Sequence, residues 1–184
     1  MKVYKLTNEK GQTHGDTQWG RGVTHAATGK GTDLCSNAVI HFYRDPLLAV
    51  LANPIHANFS RCRLWECEAE DIVAEDALKG GCKKLTTLKK IKAPRVNKNQ
   101  RVRWAILCAL EVYHEESFVK WANSWLDKTD RSKLAARAVW AAGAASWAAG
   151  AAAVAADRAA SWAAGAAGRE IDLVALAYKA IEEE

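Results

Sequence analysis

Half of one stretch of this chain is alanine: residues 135–180 hold 23 Ala in 46 positions. Such a run favours a helix, because Ala gives up no side-chain entropy there. The run is also periodic. A Trp-Ala-Ala-Gly-Ala-Ala unit begins at Trp140 and again at Trp147, Val154 opens a third unit, and Trp162 opens a fourth. The starts advance by 7, 7 and 8 residues. That averages about 3.67 residues per turn, so all four fall on one stripe of a nearly straight helix. Between 134 and 169 the only charges are Arg137, Asp157, Arg158 and Arg169. A helix so poor in charge is not solvated all round. Its Ala and Gly faces let a second helix approach closely, and the Trp stripe fills a wider groove. Arg158, four residues before Trp162, is placed for a cation–π contact. The other helices are too few to cover this surface. We therefore expect a homo-oligomer assembled through Trp140, Trp147, Val154, Arg158 and Trp162. Packing on the chain's own helices is the plainer alternative.

Ala138 to Ala156 is 19 residues without a charge, long enough to cross a bilayer. Twelve of them are Ala and none is Leu, Ile or Phe, so little drives insertion. The first eight residues lack an apolar h-region and do not read as a signal peptide. The five Cys, at 35, 62, 67, 82 and 108, are odd in number and irregularly spaced, unlike a disulfide framework. A cytoplasmic protein without membrane contact is expected.

The formal charge of +5 is local. Lys79 to Arg103 carries ten Lys and Arg and no acid, while the rest of the chain holds 16 basic and 21 acidic groups. This excludes a uniformly basic nucleic-acid coat. Single-strand binding also needs aromatics among the cations, and only Trp104 is near, so nucleic acid is the weaker reading. The strip suits a small anionic ligand or an acidic neighbouring subunit.

Local patterns predict an α+β domain over 1–93 and a helical, oligomerising Ala/Trp-rich region over 94–184. Residues 2–7 read as a strand with Lys flanks, 11–32 as a Gly-rich loop, and 39–43 as a second strand. Asp45-Pro46 starts a helix that Asn53-Pro54 ends. Residues 63–68 alternate as a strand, with Trp65 and Cys67 on one face. A turn or short helix over 71–78 is broken by Gly80-Gly81, and 83–92 is another strand. After a linker at 94–99, helices are predicted over 100–113 and from Glu115.

Both nucleotide-loop motifs fail. Thr24 stands where a Walker A needs Gly, Gly31 where it needs Ser or Thr, and His25 where a dinucleotide fingerprint needs Gly. What remains is a loop with Trp19, Arg21, His25 and Lys30, able to offer cations and an aromatic surface to an anion. No metal site is expected: Cys62 and Cys67 are five apart, on opposite faces of a strand, and neither they nor Cys35, Cys82, His41 and His56 follow a zinc spacing. Glu66, Glu68 and Glu70 share the face opposite Trp65. They form either a solvated face or a catalytic carboxylate pair.

The order of these pieces resembles small bacteriophage and prophage domains: a Val-Tyr-Lys opening strand, a Gly-rich loop, Val39 to Tyr43, Asp45 to Leu51, then Arg63 to Glu68. More distantly it resembles the ADP-ribosyltransferase core, whose arginine-type members use a Glu-x-Glu. That resemblance implies Glu66 with Glu68, or Glu68 with Glu70, as the matching positions. No Ser-Thr-Ser strand is present, position 5 is Lys where those enzymes carry Arg, and the first strand lacks the His of the other type. Residues 101–168 resemble Ala-rich helical regions of phage and immunity proteins.

The leading expectation is a non-enzymatic, phage-type binding protein of the host bacterial cytoplasm. It would sequester an anionic nucleotide-like immune signal, with no cofactor. Its candidate contacts are Trp19, Arg21, His25, Lys30, His41, Tyr43 and Arg63, with Lys89, Lys90, Arg95, Arg101 and Arg103 adding charge. The alternatives are a transferase using Glu66 or Glu68, and an inhibitor or immunity-type protein docking through its Trp/Ala helix.

Overall fold

A computed structural model describes residues 1–34, 36–132 and 171–182. These form an antiparallel five-stranded sheet and four α-helices, a mixed α+β structure. The chain divides into two compact units, Met1–Val96 and Asn97–Glu184.

The first unit is built on a long hairpin of β4 (Cys62–Glu75) and β5 (Gly80–Ile91). Asp76 makes the turn, its carboxylate accepting from the Leu78 and Lys79 N–H groups at 2.8 and 2.7 Å. The turn or helix expected over 71–78 is thus only a turn after residue 75. The strand runs on through residues 71–75 because it absorbs an irregularity: Asp71 has φ 53, and the register with β5 shifts between Ile72 and Ala74. Gly80 and Gly81 do not break the chain but open β5. A Cβ on Gly80 would enter the Phe42 ring, and one on Gly81 would lie 2.8 Å from Val39. Glycine is there for close approach.

β1 (Lys2–Asn8) pairs with β4 along its whole length, while β2 (Thr24–Ala26) and β3 (Ile40–Phe42) both pair with β5. Tyr4 and Tyr43 exchange two backbone hydrogen bonds of 2.8 Å, so the sheet curls until the end of β3 meets the outer edge of β1. Alternation sends Val3, Lys5 and Thr7 to the side of Trp65 and Cys67. Val3, Trp19, Phe42, Trp65, Cys67, Ala69, Cys82 and Leu85 form the core there. Trp65 Nε1 donates to Thr7 Oγ1 at 3.1 Å.

Helix α1 (Pro46–His56) starts where Asp45 accepts from the Leu47 and Leu48 N–H groups. It passes through Pro54 rather than ending at Asn53-Pro54. Asn53 anchors the last turn instead, donating to the Phe59 carbonyl at 2.9 Å and accepting from the Phe59 N–H at 3.1 Å.

In the second unit, α2 (Lys98–Leu110) begins two residues before the expected start. Asn97 and Gln100 form a reciprocal capping box there. Glu115 caps α3 (Glu116–Leu126), and Ile106, Phe118, Ala122 and Trp125 form the core. A fourth helix, α4 (Leu173–Glu182), packs on α2. The Trp140, Trp147, Val154, Arg158 and Trp162 stripe lies outside the described residues. Among those described, no helix is long and apolar enough to cross a membrane.

Candidate ligand-binding cleft

A cleft of about 740 Å³ opens in the first unit. Its walls come from six pieces of chain: Lys5 of β1, the turn at Thr13–Thr17 with Trp19, β2 with Ala27 and Thr28, the loop carrying Leu34, Ser36 and Asn37, β3 with Val39, and Lys79 of the hairpin turn. The size is that of a small-molecule site. Five lining residues carry basic nitrogen, namely Lys5, His14, His25, His41 and Lys79, and none of the described lining residues is Asp or Glu.

Three hydrogen bonds hold the wall that carries Leu34, Ser36 and Asn37. Lys83 Nζ donates to the carbonyls of Gly31 and Ala38 at 2.5 and 2.6 Å, and the Gly29 N–H donates to the Asn37 carbonyl at 2.9 Å. On the opposite side the indole of Trp19 is fixed by its Nε1, which donates to Thr13 Oγ1 at 2.9 Å. His25 meets the Trp19 ring edge-on at 4.5 Å, and its Nε2 donates to the Gln18 carbonyl at 2.8 Å.

Lys5 is the unusual member. It is only 8% exposed, among the most buried charged residues described. Its Nζ donates to the His41 carbonyl at 2.8 Å and lies 4.8 Å from the centroid of the Trp19 ring. Among the described residues no carboxylate pairs with it. Burial pushes its pKa down to about 8, against a smaller opposing pull from the Cys67 and Cys82 thiols. His41 is likewise held below the ordinary imidazole value by burial. The Leu34 carbonyl, which its Nε2 contacts, pulls the other way, and Lys5, Lys79 and His56 add to the lowering. His41 is therefore mainly neutral at pH 7.

Of the residues chosen from sequence, Trp19, His25 and His41 come together in the cleft. The others do not line it. Arg21 and Lys30 are exposed on neighbouring turns, and Arg63 is exposed on β4 opposite Thr7. Tyr43 is buried, with its hydroxyl hydrogen-bonded to His56 Nδ1 at 2.8 Å. Lys89 pairs with Glu66 at 3.5 Å, Lys90 lies in register with Trp65, and Arg95 is exposed past the end of β5. Arg101 and Arg103 belong to α2 of the second unit, where Arg103 is buried and donates to the Leu126 carbonyl at 3.4 Å.

Glu66 and Glu68 lie on the face of β4 away from Trp65 and Cys67. Lys2 approaches Glu66 to 2.9 Å, and the two lysines, Lys2 foremost, hold its carboxyl below the usual range. Among the described residues no group of three or more His, Cys, Asp or Glu is placed to hold a metal ion. Lys5, His14 and Lys79 were missed from sequence. A signal for Lys5 did exist: it stands between Val3 and Thr7 on the inward side of an alternating strand. Comparison of the chain with protein-family models, with curated proteins and with solved structures gives no match.

Proposed function

We propose that the cleft of the first unit captures an anionic, nucleotide-like ligand as a binding protein rather than as a hydrolase or transferase. One observation carries this reading. Five basic side chains line the cleft with no acid among the described lining residues, and the most buried of them, Lys5, has no carboxylate counter-ion among the described residues. A buried cation without a neighbouring carboxylate is costly, and an anion bound beside it offsets that cost. Leu34, Val39 and Ile40 offer apolar surface for the uncharged part of such a ligand. Glu66 and Glu68 face away from this site, which favours binding over an ADP-ribosyltransferase.

The biological role we propose is a phage-type, counter-defence sponge for a nucleotide signal in the bacterial cytoplasm. This part rests on the resemblance of residues 1–92 to phage domains. We propose further that the chain self-associates through the Trp stripe of residues 140–162, on the strength of its periodicity and near-absence of charge. Light scattering tests that: a monomer mass at micromolar concentration ends the assembly proposal.

The ligand reading is tested by a thermal-shift screen against NAD, ADP-ribose, cyclic nucleotides and cyclic dinucleotides. A ligand that binds only the folded chain raises the midpoint, by about 2.7 kcal/mol of stability at a hundred times its Kd. Silence toward the whole panel removes the reading.

A further inference from the structure

Lys5 has an environment that a charge-pairing residue does not need. It is buried against the indole of Trp19 and the His41 carbonyl, yet it still borders the cleft. A lysine that needs only to bind an anion is better left partly exposed, as Lys79 is. A lysine taken out of water and denied a carboxylate favours its neutral amine, which is a nucleophile.

We infer that Lys5 captures its ligand covalently and reversibly, as an imine with the free aldehyde of a phosphate-bearing sugar. The inference rests on the proposed capture of a nucleotide-like anion and names the group by which it is held. The chemistry balances without an oxidant or reductant. The Nζ lone pair attacks the aldehyde carbon, the C=O electrons move onto oxygen, and a carbinolamine forms. A nitrogen proton and an added proton leave with that oxygen as water, and the C=N bond closes. The imidazoles of the cleft, His25 and His41, are the groups able to carry protons to and from the departing oxygen. Lys79 and His14 meet the phosphate. The ligand class is therefore a sugar phosphate or nucleoside-diphosphate sugar with an open reducing end. A nucleotide whose anomeric carbon is already bonded to a base has no aldehyde to offer.

Depression of the Lys5 pKa to about 8 agrees with this. At pH 7.5 it gives roughly two hundred times more neutral amine than an ordinary lysine has.

The test uses the full chain with ADP-ribose and ribose 5-phosphate as aldehyde probes, and NAD and ribitol 5-phosphate as matched compounds without an aldehyde. Cyanoborohydride reduces any imine to a stable amine, and peptide mass mapping then locates it. The expected result is an adduct at Lys5 from both aldehydes, at least tenfold above that on any exposed lysine such as Lys30 or Lys90, and none from the two matched compounds. K5R and K5M lose the Lys5 adduct, and K5R keeps the buried charge in case K5M alters the fold. An even spread of adducts over exposed lysines overturns the inference. So does midpoint stabilisation by ADP-ribose with no adduct at Lys5, which leaves the binding reading standing. If no probe binds or reacts, the inference falls, and the binding reading falls with it only when the cyclic nucleotides and cyclic dinucleotides are silent too.

Discussion

Replacing Lys5 by methionine should stabilise the protein at neutral pH, against the usual effect of a core substitution. The side chains are similar in length, and the change removes a charge that the fold leaves without a carboxylate among the described residues. The magnitude follows from the proton balance. Lys5 titrates near 8 in the folded chain against an ordinary value of 10.5. At pH 7 that depression corresponds to about 3 kcal/mol of destabilisation, since each unit is about 1.4 kcal/mol. The cation–π contact with Trp19 and the hydrogen bond to the His41 carbonyl return about 1 kcal/mol each. A net gain of about 1 kcal/mol remains for K5M. The sign with pH is fixed. Between 8 and 10.5 the unfolded chain holds the Lys5 proton more tightly than the folded one, so wild-type stability rises with pH there. The penalty is whole below 8 and disappears as pH passes 10.5. By pH 9 it has fallen to about 2 kcal/mol, so the advantage of K5M should shrink by about 1 kcal/mol between pH 7 and 9. Denaturant unfolding of both proteins at several pH values measures this, and other titrations cancel in the difference. A difference that is flat with pH, or a K5M several kcal/mol less stable at pH 7, would refute the claim that Lys5 is a desolvated cation.

Three further outcomes are expected. Gly80→Ala should cost about 1–3 kcal/mol, because the new methyl meets the Phe42 ring and β3 must shift; an unchanged denaturant midpoint would show that β3 packs differently. Asp45→Ala should cost about 1 kcal/mol by removing the acceptor for the Leu47 and Leu48 N–H groups, again read from the midpoint. Burial pushes the Cys67 and Cys108 thiols up to about 12 and Cys82 up to about 11, while Cys62 is only half-buried. Alkylation of the native chain at pH 8 should therefore mark Cys62 well before Cys67, Cys82 and Cys108, and peptide mapping showing equal rates at these four would contradict the core.

Where local chemistry alone decides an element, the sequence was readable. Alternation located β1 and the first half of β4, Asp45-Pro46 marked the start of α1, and the i, i+3, i+4 pattern located α2 and α3. What escaped depends on neighbours distant in sequence. Gly80-Gly81 looks like a breaker until Phe42 and Val39 are seen to occupy the space of its side chains. β2 is three residues long and exists because β5 pairs with it. Residues 71–75 contain two acids and an irregular register, and they stay extended because β5 lies alongside. The site divided in the same way. Trp19, His25 and His41 were chosen for their chemistry and do share the cleft. Lys5 was read as a strand flank, although its position between Val3 and Thr7 already turned it inward.

The basic strip shows why composition misled on the site. Residues 79–103 look like one patch, yet alternation and turn geometry give its members different tasks. Lys79 lines the cleft, and Lys83 holds the loop that forms one of its walls. Lys84 and Lys89 pair with Glu70 and Glu66 across the hairpin, at 2.9 and 3.5 Å. The lysine charge that counts in the cleft therefore comes from Lys79 of the strip joined by Lys5, and the three imidazoles that line the cleft with them lie outside the strip. Trp19 changes role as well. Chosen as a surface for a stacked base, it is 3% exposed, with Lys5 over its ring, His25 at its edge and its Nε1 bound to Thr13. A base has no open face on which to stack there. The indole instead holds an ammonium at the cleft wall, and recognition shifts from the base of a nucleotide to its phosphates and its sugar. Ligands that differ only in their base should on this reasoning bind alike, and those that differ at the phosphate or the reducing end should not.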